Sequence, residues 1–416
     1  MYLSQLFTRT TKETQADASS INADLLTRAG FIHKTMAGAY SYLPLGLIVL
    51  RKIEHIVREE MNSAGGQEIL MSALSPKSNW VTTNRWEGFD ALFKMPASGD
   101  TEYALNPTHE EIVTPLVKEY VSSYKNLPFG CYQIQTKFRN EARAKSGILR
   151  GREFLMKDLY SFHADQESLD EYYEVMHNAY NTIFERLGLS EKTYYTYASG
   201  GTFSQFSHEF QVVLPQGEDT IYISEDAEKK GMRIAINKEI FEDGVTTCPE
   251  TGGIDFRAET ASEAANIFKL GTKFSEPFSL QYTDQEGKMF PIIMGCYGIG
   301  VSRLMGIMVE AMADDDGMRW TEQINPADFH IIPIAKSEDD EAYTIAVALY
   351  DRLASEGKTA IFDDRLKASV GAKLADADLI GCPRRVVISP KTLEDKGAEL
   401  KNRMTGDVEM VAIDSL

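Results

Sequence analysis

Two short stretches of this chain combine anion-binding side chains with backbone that lets a ligand come close. The first is Phe138-Arg139-Asn140-Glu141, followed by Arg150-Gly151-Arg152-Glu153-Phe154 and then Asp158. A guanidinium is a planar, permanently charged fork of donors that fits a carboxylate or a phosphate. An aromatic face beside it can carry a flat ring. The second stretch is Gly295-Cys296-Tyr297-Gly298-Ile299-Gly300-Val301-Ser302-Arg303. Glycines permit close backbone approach, and a helix starting there favours negative charge. Neither a P-loop ending nor a dinucleotide fingerprint is met. Together these groups suit chemistry at phosphorus, where positioning and charge neutralisation do most of the work.

The order of these residues resembles motifs 2 and 3 of class II aminoacyl-tRNA synthetases. That resemblance implies an ATP site. Arg139 would clamp the α-phosphate and the reacting carboxylate, and Glu141 would accept from the adenine amino group. Phe154 would stack on adenine, Arg150 would reach the terminal phosphates, and Gly298, Gly300 and Arg303 would line the nucleotide from the other side. Arg139 and Arg303 are the expected catalytic pair. Mg²⁺ is expected with ATP, and no metal ligand set is expected from the protein.

A third set resembles the prolyl branch of that class. Asn106-Pro107-Thr108-His109-Glu110-Glu111 is similar to its Thr-His-Glu loop, and 152–158 and Ser207-His208-Glu209-Phe210-Gln211 are similar to further stretches. By that resemblance, Thr108 and Glu110 hold the secondary ammonium of L-proline and Arg139 its carboxylate. Met156 and His208 line the pyrrolidine pocket, with Cys296 beside it. The implied activity is formation of prolyl-adenylate and transfer to the 3'-terminal adenosine of tRNA(Pro). Two departures stand out: Ser72 where the family has proline, and Phe203-Ser204 where it has a glycine pair. The helix ending Arg58-Glu59-Glu60-Met61, with Glu68-Ile69-Leu70-Met71, occupies the place of motif 1, implying a homodimer. Asp363-Asp364-Arg365-Leu366-Lys367 and the stretch 371–381 resemble the anticodon-binding domain of this group, so Arg365, Lys367 and Lys373 are expected at the tRNA anticodon.

Elements must hold these groups in place. Leu47, Leu50, Ile53 and Val57 make one apolar stripe and predict a helix over 40–61, starting near Pro44. Alternation predicts strands over 129–141 and 153–162, joined by a basic loop, and a helix follows over 168–187. Residues 291–306 read as strand, glycine turn and helix. Beyond Asn325-Pro326, strands at 329–334, 359–362 and 385–388 alternate with helices at 341–356 and 369–380, predicting a mainly parallel sheet. The expected architecture is an α+β catalytic domain with an antiparallel sheet plus a C-terminal α/β anticodon-binding domain. The catalytic domain takes 1–217 and 263–324, and the anticodon-binding domain 325–416. Residues 218–262 form a short insertion where many bacterial members carry a large editing domain.

Composition fits a folded protein. The 416 residues are 43% hydrophobic and 25% charged, enough for a sizeable core. No apolar run is long enough for a membrane span, and the start lacks a secretory pattern, so a cytoplasmic location is expected. The net charge of −19 disfavours non-specific nucleic-acid binding, but the local field decides a specific tRNA contact. Four cysteines lie far apart with no Cys-x-x-Cys pair. Cys248, in Cys248-Pro249-Glu250-Thr251-Gly252-Gly253, is read as a turn cysteine rather than half of a metal knuckle.

Overall fold

Paired strands of three to sixteen residues assemble the larger of two units in this computed structural model. Residues 1–13, 20–142, 144–200, 206–395 and 397–416 are described. The larger unit comprises Met36–Ala39 and Ile53–Ile307; the other comprises Met1–Thr35, Tyr40–Lys52 and Met308–Leu416.

A nine-stranded sheet runs Phe206–Val213, Thr193–Ser199, Ile234–Asn237, Asp219–Ser224, Phe256–Gly271, Ile293–Ile299, Glu153–His163, Phe129–Phe138 and Gly66–Glu68. Its pairings are antiparallel except those of Ile234–Asn237 with Thr193–Ser199 and of Gly66–Glu68 with Phe129–Phe138. Phe206–Val213 also pairs with Phe256–Gly271, closing the first five strands into a ring. Helix Gln166–Arg186 covers one face through Leu169, Tyr173, Met176, Tyr180, Ile183 and Phe184, all buried. Asp165 caps it by accepting from the Ser168 N–H at 2.9 Å, satisfying a donor that the first turn leaves over.

Residues 218–262, expected as an insertion, supply strands to this sheet instead. The charged and turn-rich stretches that set the segment apart in composition are the short helices Glu225–Lys229 and Lys238–Glu242 and the connections around them. Local composition reported the loops and hid the strands between them. A smaller sheet, Leu74–Pro76, Glu102–Leu105 and Phe93–Pro96, packs with helix Lys77–Thr82 around Trp80, Trp86, Leu92 and Ala104.

The smaller unit carries a five-stranded sheet ordered Ala360–Phe362, Phe329–Pro333, Arg384–Ile388, Gly397–Asn402 and Val408–Ala412. The first three strands are parallel, as their alternation with helices Glu341–Ser355 and Val370–Ile380 predicts. The last two are antiparallel, so the sheet is mixed. The chain start belongs to this unit rather than to the larger one: Tyr2 bridges Phe362, and the Ser4 N–H donates to Asp364 at 2.9 Å. A one-residue bridge leaves no periodic signal in sequence. Among the described residues no helix is long and apolar enough to cross a membrane.

Candidate active site

The hairpin of Phe129–Phe138 and Glu153–His163 sets the first arginine. Arg139 directly follows the first strand, its N–H bonded to the Arg152 carbonyl at 2.8 Å. Its guanidinium lies over Phe154, 5.2 Å from the ring centre. Arg139 Nε is buried with no hydrogen-bond partner in the protein. An unmade bond on a buried donor is costly, so an unpartnered guanidinium nitrogen marks a place where a ligand oxygen would fit. Burial, and then the charge of Arg303, holds the Arg139 pKa below the usual guanidinium range. The two cations therefore feel each other across one site.

Arg303 sits in the first turn of helix Val301–Met312, directly after the glycine turn. Its Nε donates to the Leu149 carbonyl at 2.7 Å, one terminal nitrogen donates to the Glu263 carbonyl at 2.5 Å, and the Glu263 carboxylate stands 3.7 Å away. A side chain on Gly300 would bring its Cβ within 3.1 Å of Arg303 Cβ, and one on Gly298 within 3.1 Å of Asn266 Oδ1. Both glycines keep this face clear. Arg150 closes onto Glu141, with Nε at 3.1 Å and a terminal nitrogen at 2.9 Å, and lies 3.7 Å from Glu218. In this state Glu141 is engaged by Arg150.

Farther along the same face, Thr108 Oγ1 donates to Glu110 Oε2 at 2.5 Å, and Cys296 Sγ–H donates to Glu110 Oε1 at 3.4 Å. Burial pushes the Cys296 thiol well above its ordinary range, so it stays protonated. Met156 Sδ stands 3.9 Å from where a Gly298 Cβ would be. Beneath lies a buried network. Lys137 Nζ is 2.6 Å from Asp158 Oδ1 and donates to His109 Nδ1 at 2.6 Å, leaving His109 Nε2–H to donate to the Ser72 carbonyl at 3.1 Å. Burial, with Lys137 adding to it, lowers the His109 pKa to about 4, so the ring is neutral. Asn106 Nδ2 donates to the same Ser72 carbonyl at 2.9 Å, so the backbone at this departure from the family pattern anchors the Thr-His-Glu loop.

His208 is not brought to this group. Alternation along Phe206–Val213 turns it toward the covering helix, where it shares a hydrogen bond with the Tyr173 hydroxyl at 2.6 Å and stacks on Tyr195 at 4.5 Å. It lines a cavity of about 710 Å³ bounded also by Glu174, His177, Tyr197 and Glu250. Burial first, then His177 and Lys269, lowers its pKa to about 3. We expect His208→Gln to cost about 1 kcal/mol through the lost ring packing, seen as a lower urea midpoint, with the proline KM unchanged. Phe203-Ser204 lies outside the described residues.

The next residue, Glu209, takes the opposite face. It accepts from Gln211 Nε2 at 2.9 Å and Asn237 Nδ2 at 3.0 Å, and burial, with Glu263 adding to it, raises its pKa to about 8. Sequence reading missed Glu209, though strict alternation from the buried Phe210 separates it from His208. Glu263 was missed for want of any local motif.

In the smaller unit the three expected anticodon cations diverge. Lys373 is buried and donates to the carbonyls of Pro333 at 3.0 Å and Asp363 at 3.1 Å, so it cannot meet a base or phosphate. Its place in the first turn of helix Val370–Ile380 points it under the strand ends, not outward. Arg365 closes its fork on Asp363 at 2.9 and 2.6 Å and on Asp376 at 2.8 Å. Lys367 is exposed.

These two folds have counterparts. Residues 93–312 match the tRNA synthetase class II core domain (G, H, P, S and T), and residues 328–416 match the anticodon binding domain. The protein is thus a class II synthetase by core and by appended domain. The chain is 37% identical to the proline–tRNA ligase of Anaplasma marginale, covering 100% of this chain and 99% of that one. It is 38% identical to that of Zymomonas mobilis, over 100% and 97%. It belongs to the proline–tRNA ligase family. Alignment to the Listeria welshimeri ligase, at 34% identity over 99% and 97%, runs to 556 positions, so that sequence carries a large segment with no counterpart here. Prolyl-tRNA synthetases of Cryptosporidium parvum, with halofuginone and AMPPNP, and of Giardia lamblia, with prolyl-adenylate, share the fold. Each has a TM-score of 0.77, at 19% and 20% identity, covering 97% and 98% of this chain and 75% and 77% of theirs.

Proposed function

We propose that the protein activates L-proline with ATP and esterifies it onto tRNA(Pro). The observation that carries this is the Arg139 guanidinium over Phe154 with its Nε unpartnered and, near enough to act on its charge, Glu110 flanked by Thr108 and Cys296. The proline carboxylate, ionised without help, attacks the α-phosphorus, and pyrophosphate leaves. The fork of Arg139 neutralises charge on the phosphoryl oxygens, Phe154 carries adenine, and Arg303 holds the triphosphate from the helix side. Thr108 and Glu110 receive the two N–H donors of the pyrrolidinium. A ribose hydroxyl of the tRNA 3' end then attacks the carbonyl carbon of the mixed anhydride, releasing AMP.

Mg²⁺ would supply further charge neutralisation between phosphate oxygens. Glu209 and Glu263, close enough for Glu263 to raise the Glu209 pKa, would share the ion with phosphate and water. Leu70 and Tyr120, 75% and 79% exposed, support a homodimer in which a second copy covers them. Lys367 is the favoured anticodon contact of the smaller unit, and the cytoplasm is where ATP and tRNA meet this enzyme.

Proline-dependent ATP–pyrophosphate exchange, run beside alanine and threonine, tests the reading. Proline is expected to give the highest kcat/KM. Alanine should follow within roughly two orders of magnitude, because a pocket rejects a smaller apolar substrate by only about 1–3 kcal/mol. Alanyl-tRNA(Pro) should persist in the presence of the pure protein. A preference for threonine, or exchange independent of amino acid, would contradict the assignment.

A further inference from the structure

The loop carrying Thr108 and Glu110 is held from one side by a cation that the reaction itself does not use. Arg85 follows helix Lys77–Thr82, and its guanidinium lies among three rings, 5.4 Å from Trp80, 4.9 Å from Phe89 and 5.4 Å from Phe274. One terminal nitrogen donates to both oxygens of Glu111, at 2.8 and 3.1 Å, and stands 3.6 Å from Glu110 Oε2. Glu111 is fully buried. It also accepts from Thr83 Oγ1 at 2.8 Å, and its backbone carbonyl accepts from Asn79 Nδ2 at 2.8 Å. Three donors from one segment, 79–85, therefore converge on the residue next to Glu110, in the first turn of helix Glu110–Lys118.

The physical consequence is a fixed helix start. A buried carboxylate without its counter-ion is strongly unfavourable, so Glu111 cannot turn away from Arg85. The rings leave the guanidinium little room to follow a moving partner and add cation–π attraction of their own. With Glu111 pinned, the backbone direction of Glu110 is pinned too. Its carboxylate is left between Thr108, Cys296 and the edge of Arg85.

We infer that Arg85 is a positioning residue for amino-acid selection: acting through Glu111, it aims the Glu110 carboxylate at the substrate ammonium. The inference rests on the proline reading above. Arg85 itself makes no contact with the reacting atoms in this scheme, and its effect is confined to the amino-acid end of the site.

The test measures proline and ATP KM by pyrophosphate exchange on the full chain. It compares wild type with Arg85→Lys, Arg85→Met, Thr83→Val and the double variant Arg85→Met/Glu111→Gln. A hydrogen bond to a charged group weakens steeply when misaligned, so Arg85→Met should raise the proline KM about tenfold or more. The ATP KM should stay within about twofold, because uniform binding of ATP is untouched. Arg85→Lys keeps the charge but loses the fork, and should fall between. The double variant removes the stranded carboxylate and should recover part of the proline KM. Thr83→Val removes one donor to Glu111 and should raise the proline KM a few-fold.

If Arg85→Met yields no folded protein, Arg85→Lys and Thr83→Val decide: an unchanged proline KM in both overturns the inference. Equal rises in proline and ATP KM, or a fall in kcat alone, overturn it as well. Wild-type protein without proline-dependent exchange would instead overturn the function on which it rests.

Discussion

Arg139→Ala lowers the rate of proline-dependent pyrophosphate exchange by about a thousandfold or more, on the scale of a lost donor to a developing oxyanion. The size follows from the state of this guanidinium before substrate arrives. Its Nε is already desolvated and unpartnered, so no protein contact has to break when a phosphate oxygen reaches it. Phe154 under the fork and the backbone bond to Arg152 hold its direction. Preorganised charge of this kind acts with little reorganisation at the moment of reaction. Arg139→Lys should rescue little, because an ammonium is a single point of charge without the planar pair of donors. Affinity for tRNA, measured by filter binding, stays near the wild-type value, since the proposed anticodon contact, Lys367, lies in the other unit. An unchanged exchange rate would remove Arg139 from the role.

Lys137→Met destabilises the protein by about 3–5 kcal/mol, the range for stripping one partner from a buried ion pair. Lys137 has no exposed surface, and Asp158 almost none. Without the ammonium, Asp158 keeps the Gln133 side-chain N–H at 3.1 Å, and His109 Nδ1 loses its donor. The carboxylate must then take up a proton or remain an unpaired buried charge. Burial already holds the Lys137 pKa down, with Asp158 opposing it. The pair therefore survives by mutual compensation rather than by a large net gain. Lys137→Met/Asp158→Leu should recover much of the loss, because replacing both partners by apolar groups leaves no stranded charge. Urea unfolding of the two variants side by side decides. Equal loss in both would mean that packing, not charge, sets the cost.

Periodic elements and motif residues are legible in the sequence, whereas side-chain direction and partners from other elements are not. The helix over Pro44–Ser63, the motif-bearing hairpin, and the glycine turn before Val301–Met312 follow from periodicity and from residue types whose physical roles are narrow. The roles proposed for Arg139, Phe154 and Arg303 rest on the same ground, since a fork, a flat face and a close backbone approach are each tied to few residues. The resemblance implies His208 in the pyrrolidine pocket, whereas its side chain meets Tyr173 of the covering helix: a motif fixes position in the chain, and the strand period of two fixes direction. Lys373, expected at the anticodon by resemblance, caps two carbonyls inside the domain with its amine. Arg85, Glu209 and Glu263 had no motif to announce them. The roles proposed for them rest on partners from other elements, such as Glu111 for Arg85 and Asn237 for Glu209.

A crystal structure of the protein with a non-hydrolysable analogue of prolyl-adenylate examines the shared phosphate grip most directly. The phosphoryl oxygens should lie within hydrogen-bond distance of Arg139 Nε, with adenine on Phe154, Arg303 against the nucleotide, and the pyrrolidine nitrogen between Thr108 and Glu110. An analogue bound away from either guanidinium, or with its ring in the cavity beside His208, would contradict it.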